Sequence, residues 1–188
     1  WGRERVEARL AKIGHSDPSA ILPLLSTVEA FALKMGGNSA LRERFSAASE
    51  AEQRDLLEAN QEKLGLSSVD ITQLAGSPRF VETVEWPAAP RDVVALLDYL
   101  RTVKAPLARQ ILAINPGVGA ASSARWDYLG FKGGSEPGVI HLAWLACADK
   151  EDCYAVVGGW TDPDAAINET AFVALMSRVL ALAHPAGG

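Results

Sequence analysis

Two apolar segments separated by a short glycine-rich stretch constrain the fold of this chain more than any other feature. Residues 126–131 read WDYLGF and residues 139–147 read VIHLAWLAC, and between them stand Lys132, the run 133–135 and Pro137-Gly138. Short apolar runs bounded by glycine and proline are typical of buried β-strands. The pattern predicts two strands joined by a tight connection.

Lys132 is the residue of this region best suited to chemistry. We predict that it ends the first strand, where its ammonium group would hold an anionic substrate against the sheet edge. Gly133 and Gly134 have no side chains, so a ligand could approach their backbone closely. The same three letters also occur in ordinary turns beside a solvated lysine, and that alternative stays open.

A third strand and a long helix are predicted to complete the C-terminal part. Residues 153–160, CYAVVGGW, follow the polar turn 149–152. We expect the helix to run from about Pro163 to His184. Asp162 and Asp164 suit its beginning, because negative charge is favourable at a helix N-terminus.

The first 114 residues are predicted to be mainly helical. Ser26 to Glu29 and Ser49 to Glu52 have the spacing of capping boxes, which mark helix starts. Residues 65–90 lack clear periodicity and contain turn-forming residues, so they are predicted to form a loop with room for one turn of helix. Helices followed by strands and a closing helix predict an α+β fold. The remaining predicted helices are 4–13, the segment ending at Met35, the segment ending near Lys63, 91–103 and one opening at Pro106.

Composition excludes several classes of function. The 188 residues are 48% hydrophobic and 22% charged, with a net charge of −5, which is ordinary for a soluble globular protein. This charge and the lack of a Lys/Arg cluster argue against nucleic-acid binding. No apolar run approaches the ~18 residues needed to cross a bilayer. His15, His141 and His184 lack metal-ligand spacing, so we predict no metal site and no cofactor.

The two cysteines admit two interpretations. Cys147 and Cys153 flank a short connection and could face each other across a hairpin. In an exported protein a cross-strand disulfide would be plausible, whereas in a reducing cytosol they would be two small core residues.

Taken together, the strands, the Lys-Gly-Gly sequence and the closing helix resemble the C-terminal part of the penicillin-recognising, class A β-lactamase-like serine hydrolases. The third signature of that family is Lys-[Thr/Ser]-Gly on the strand beside the active site. Residues 2–7, GRERVE, are similar to the stretch after the family's Ser-Asp-Asn motif, and residues 90–97, PRDVVALL, to the helix after its Ω-loop. The resemblance implies a partial β-lactamase/transpeptidase-like fold and an exported or periplasmic location.

The resemblance also implies an activity and a site. The expected substrates are β-lactam or peptide-like amides, cleaved through an acyl-serine intermediate. Lys132 would lie near the nucleophile and attract the substrate carboxylate, while Gly133, Gly134 and Ser135 would contact the substrate. Glu82 and Glu85 fall in the region of the family's deacylating glutamate, although both could equally be solvated loop residues.

Several parts of the family pattern are absent from the chain. No serine has a lysine three residues later, and neither Ser-x-Asn, Tyr-x-Asn nor Glu-x-x-x-Asn occurs. Gly133 stands where the family usually has threonine or serine, and the strands 139–147 and 153–160 contain no arginine. Because Trp1 is not an initiator methionine, we expect residues 1–188 to be a single partial domain whose catalytic N-terminal segment is missing. The helical part would be 1–114 and the strand part 115–188. The alternative is a non-catalytic domain that binds a ligand or another protein.

Overall fold

The computed structural model describes residues 2–103 and 105–185. Trp1, the first residue of the predicted domain, lies outside this part, as do Lys104 and residues 186–188. Within the described ranges the fold is α+β, as predicted, with eight α-helices and a three-stranded antiparallel sheet. The helices are α1 (Arg3–Leu10), α2 (Thr27–Lys34), α3 (Ser39–Ala47), α4 (Glu50–Ala59), α5 (Pro90–Thr102), α6 (Pro106–Ala113), α7 (Ala120–Ser123) and α8 (Glu169–Ala183), and the strands are β1 (Tyr128–Glu136), β2 (Val139–Cys147) and β3 (Cys153–Thr161).

Both predicted capping boxes are present. The Ser26 side chain accepts a hydrogen bond from the Glu29 N–H at 3.3 Å, and the Glu29 carboxylate accepts one from the Ser26 N–H at 2.7 Å. Ser49 and Glu52 make the same exchange at the start of α4. These reciprocal bonds satisfy backbone donors that have no partner inside the helix.

In the first part, one predicted helix is too long and one helix was missed. The helix predicted to reach about Lys63 ends at Ala59, and α3 was not predicted. The buried side of α3 includes Arg42, whose guanidinium donates to the carbonyl oxygens of Leu33 and Met35. A buried arginine interrupts the apolar periodicity from which a helix is recognised.

The closing helix begins six residues later than predicted, at Glu169 instead of Pro163. The Asp162 carboxylate accepts hydrogen bonds from the N–H groups of Asp164 and Ala165, both at 3.0 Å, so it stabilises a turn. The helix is capped instead by Asn168, whose side chain accepts from the Ala171 N–H at 3.0 Å. An aspartate before a proline favours a turn as readily as a helix start.

The sheet has the order β1-β2-β3, so β1 and β3 are its outer strands. Strand β1 continues through Lys132 as far as Glu136, and Lys132 lies opposite Ala143 in the middle of the pairing. The prediction that Lys132 ends the strand was therefore wrong. Glu136 pairs with Val139, which places the reversal of the chain at Pro137-Gly138.

Both faces of the sheet are covered. On one face Trp144, which is fully buried, packs in a cluster with Phe172 and Met176 of α8. On the other face Ala143 and Leu145 pack with Leu97 of α5. A separate apolar cluster joins α2, α3 and α4 to the segment around Val84. Within the described ranges, no helix is both long and apolar enough to cross a lipid bilayer.

A disulfide closes the β2–β3 hairpin, since Cys147 and Cys153 are bonded and lie directly opposite each other in the strand pairing. We expect the double variant Cys147→Ser/Cys153→Ser to lose about 2 kcal/mol of unfolding free energy, because the unfolded chain would regain the entropy of this short loop. Urea denaturation measures the loss. Reducing agent should shift the wild type by a similar amount and leave the variant unchanged; an unaltered midpoint in the variant would contradict the prediction.

Candidate functional site

A cleft of about 470 Å³ lies between the β1–β2 hairpin and the helical part of the chain. It brings together four of the six site residues predicted from the sequence, which are Lys132, Gly134, Ser135 and Glu85. Gly133 and Glu82 are not among the residues that line it. The other lining residues are Thr27, Phe31, Trp86, Ala88, Val93, Glu136, Val139 and His141.

Lys132 offers a positive charge to this cleft. Its side chain is exposed, and its Nζ donates a hydrogen bond to the backbone carbonyl of Gly133. It forms no ion pair with any other side chain in the described ranges. Successive residues of a strand point to opposite faces, so Lys132, Gly134 and Glu136 share one face of β1. The ammonium group can therefore bind an anion.

The two glycines after Lys132 have different surroundings. A Cβ atom at Gly134 would meet nothing within 4 Å, so this position leaves open space at the cleft. A Cβ atom at Gly133 would lie 2.6 Å from Cζ of Phe131 and 3.1 Å from Cδ2 of Leu142. Gly133 thus permits the Phe131 ring to lie against the strand, on the face opposite Lys132.

Ser135 also points its side chain away from Lys132. Its hydroxyl donates to Oε2 of Glu169, at the start of α8, at 3.2 Å. Strand alternation places Ser135 on the same face as Gly133. The Ser135 hydroxyl, which was predicted to contact the substrate, is hydrogen-bonded to α8 in this structure.

At the far side of the cleft, a buried lysine holds two carboxylates. Lys34 ends α2 and its side chain is only 1% exposed. Its Nζ donates to Oε1 of Glu85 and to Oε1 of Glu136, the latter at 2.5 Å. The carboxylate side chains are 21% and 18% exposed, respectively. We call Lys34, Glu85 and Glu136 the Lys34 cluster.

The cluster changes the acidity of Glu136. Burial and the neighbouring carboxylate of Glu85 raise the pKa of Glu136 to about 7, although the Lys34 ammonium acts in the opposite direction. Two carboxylates that share a site resist being ionised together. Burial also lowers the pKa of His141, which lines the same cleft. Burial therefore disfavours the positively charged form of His141, which would otherwise offset the two carboxylates.

Sequence reasoning did not single out Lys34 or Glu136. Glu85 was predicted and lines the cleft, whereas Glu82 is exposed to solvent. One signal for Lys34 was available, because it is the single charged residue in the otherwise apolar stretch 30–35. A lysine in such a stretch is buried only when it is paired.

A second cleft, of about 510 Å³, adjoins the first and shares Glu85, Trp86, Ala88, Val139 and His141 with it. On its wall, the Asp92 carboxylate accepts hydrogen bonds from the N–H groups of Ser16 at 2.7 Å and Ala89 at 2.9 Å. The hydrogen bonds from Ser16 lower the pKa of Asp92 more than those from Ala89. Asp92 thereby anchors the start of α5 on the wall of this second cleft.

In residues 2–103 and 105–185, no group of three or more histidine, cysteine, aspartate or glutamate side chains is arranged to hold a metal ion. No protein-family model matches the chain, and no curated protein matches its sequence.

Proposed function

We propose that this chain forms the substrate-binding part of a β-lactamase-like serine hydrolase that acts on β-lactam or peptide-like amides carrying a carboxylate. One observation carries the proposal: Lys132, which forms no ion pair with another described side chain, and Gly134, which has no side chain, share a face of the outer strand β1 and line one cleft. No Ser-x-x-Lys occurs in residues 1–188, so the nucleophilic serine would come from outside them.

The cleft has the features that such a substrate needs. The Lys132 ammonium would bind the carboxylate by a charge-assisted hydrogen bond. Strand β1 has no neighbouring strand on the side away from β2 among the described residues. Helix α6 packs against part of β1, and the Tyr128 hydroxyl donates to the Arg109 carbonyl there. Where α6 does not cover it, the outward backbone of β1 could hydrogen-bond an extended, peptide-like substrate.

Glu85 is the better placed of the two glutamates predicted as the deacylating base, because it lines the cleft and Glu82 does not. In this step Glu85 would take a proton from water as the water oxygen bonds to the ester carbonyl carbon. The serine oxygen would then leave with that proton, which releases the acid and restores both groups.

Lys132→Ala is expected to slow acylation by benzylpenicillin about 10- to 100-fold, because one charge-assisted hydrogen bond contributes about 1.5–3 kcal/mol. The measurement uses the protein that carries this chain together with its serine-containing segment, and follows covalent labelling by mass. Acylation by the methyl ester of the same compound, which lacks the carboxylate, should change little. Lys63→Ala, an exposed lysine that does not line the cleft, is the matched control.

An equal loss for the acid and the ester would remove the role given to Lys132. If the wild-type protein forms no acyl-serine at all, the alternative of a non-catalytic ligand-binding domain takes the place of the hydrolase.

A further inference from the structure

The Lys34 cluster joins three segments that are distant in sequence. Lys34 belongs to α2, Glu85 to the segment between Val84 and α5, and Glu136 to the end of β1. Glu85 is 51 residues and Glu136 is 102 residues from the lysine that holds them. The cluster therefore fastens residues 80–89 to the tip of the β1–β2 hairpin, beside the cleft that both segments line.

The charges of the cluster do not balance when all three groups are ionised, because one ammonium faces two carboxylates. Among the described residues, no second cation forms an ion pair with Glu85 or Glu136. Lys132 donates to the Gly133 carbonyl and Arg42 to the carbonyls of Leu33 and Met35, while burial lowers the pKa of His141 and so disfavours its charged form. Other titratable groups, His15, Asp17, Arg91 and Asp92, line the adjoining cleft together with Glu85.

We infer that Lys34, Glu85 and Glu136 form a clasp between residues 80–89 and the tip of the β1–β2 hairpin. The clasp is closed when its two carboxylates share one proton. When this proton is lost, the attachment between the two segments weakens. With the proton present, one carboxyl group can donate to the other while Lys34 pairs with the ionised one, so the charges balance. Without it, two partly buried carboxylates repel each other across one lysine. The inference concerns the cleft itself and does not depend on which ligand occupies it.

The direction of the pH effect follows from the raised pKa of Glu136, about 7 in the folded protein. A glutamate in the unfolded or opened segment titrates at about 4.3. The closed clasp therefore binds the proton more tightly than the open one. Its stabilisation is complete below pH 4.3, declines as the pH rises from there, and is lost once the pH passes 7.

Hydrogen exchange tests the clasp locally. The amides of Thr83 and Val84 donate to the Phe80 carbonyl at 3.1 and 2.9 Å and lie next to Glu85. After correction for intrinsic rates, their protection in the wild type should fall about 10-fold or more between pH 5 and pH 8. In Glu136→Gln, which cannot lose a proton, the fall should be absent. Glu82→Gln, at an exposed position in the same segment, should behave as the wild type.

A titration of the wild-type protein, labelled with ¹³C at the glutamate carboxyl carbons, tests the proton directly and needs no variant to fold. The Glu136 signal should titrate near pH 7, and Glu85→Gln should lower that midpoint, because the Glu85 carboxylate raises it. A Glu136 midpoint below about pH 5 would overturn the inference. So would an identical pH dependence of protection in the wild type and in Glu136→Gln.

Discussion

Replacing Lys34 with methionine is expected to lower the free energy of unfolding by about 3–5 kcal/mol at pH 7, the usual effect of removing one partner of a buried ion pair. Lys34 is almost completely buried and donates to both Glu85 and Glu136. Methionine fills similar space but leaves two partly buried carboxylates without a cation. Urea denaturation measures the loss, which should be smaller at pH 5, where protonation removes part of the negative charge.

The triple variant Lys34→Met/Glu85→Gln/Glu136→Gln separates charge from packing. The triple variant leaves no unpaired charge in the cluster, so part of the stability lost in Lys34→Met should return. Lys63→Met, at an exposed site, should change stability by less than about 0.5 kcal/mol. A loss below about 1 kcal/mol in Lys34→Met would show that the cluster contributes little to the folded state.

Gly138→Ala is expected to cost about 3 kcal/mol, because two penalties combine there. Gly138 has a φ of 83°, in the left-handed region. An added Cβ would lie 2.4 Å from the backbone oxygen of Asp162 and 2.6 Å from Cγ of Pro78. Relief of that contact would move Asp162, whose N–H donates to the Gly138 carbonyl at 2.8 Å. Thermal or urea denaturation measures the effect.

Gly134→Ala is the matched control for this substitution. It lies four residues earlier, and its Cβ would meet nothing within 4 Å. We expect a change within about 1 kcal/mol, since alanine suits a strand at least as well as glycine. Equal losses at positions 134 and 138 would mean that the glycines matter only through the unfolded chain, which would contradict the steric argument.

The features that the sequence predicted correctly depend on neighbouring residues. A capping box needs only Ser26 and Glu29, three positions apart, and both of its hydrogen bonds are present. The bounds of β2 match the predicted strand 139–147, because it is a continuous apolar run between Gly138 and a polar turn. The sequence left open whether the two cysteines are bonded to each other. The strand register settles this, because it places Cys147 opposite Cys153.

The features that the sequence did not predict depend on contacts between distant residues. Nothing close to Lys34 indicates that its partners are Glu85 and Glu136, since only the folded chain brings them together. The sequence also did not predict how far β1 extends. Gly133 and Gly134 have no side chains, so this part of the strand lacks the alternation of apolar and polar residues by which a strand is recognised. Strand alternation nevertheless predicts that Ser135 lies on the face opposite Lys132, because the two are three residues apart. The hydrogen bond from Ser135 to Glu169 is consistent with this.

The empty space at Gly134 makes the cleft accessible to site-directed labelling. Both cysteines of the chain are joined in the disulfide, so Gly134→Cys would introduce a single free thiol that faces the cleft. Alternate residues of a strand lie about 7 Å apart, which places this thiol midway between Lys132 and Glu136. An environment-sensitive fluorophore attached there would stand between the exposed ammonium and the carboxylate that shares a proton, and its emission would report occupancy of the cleft in real time.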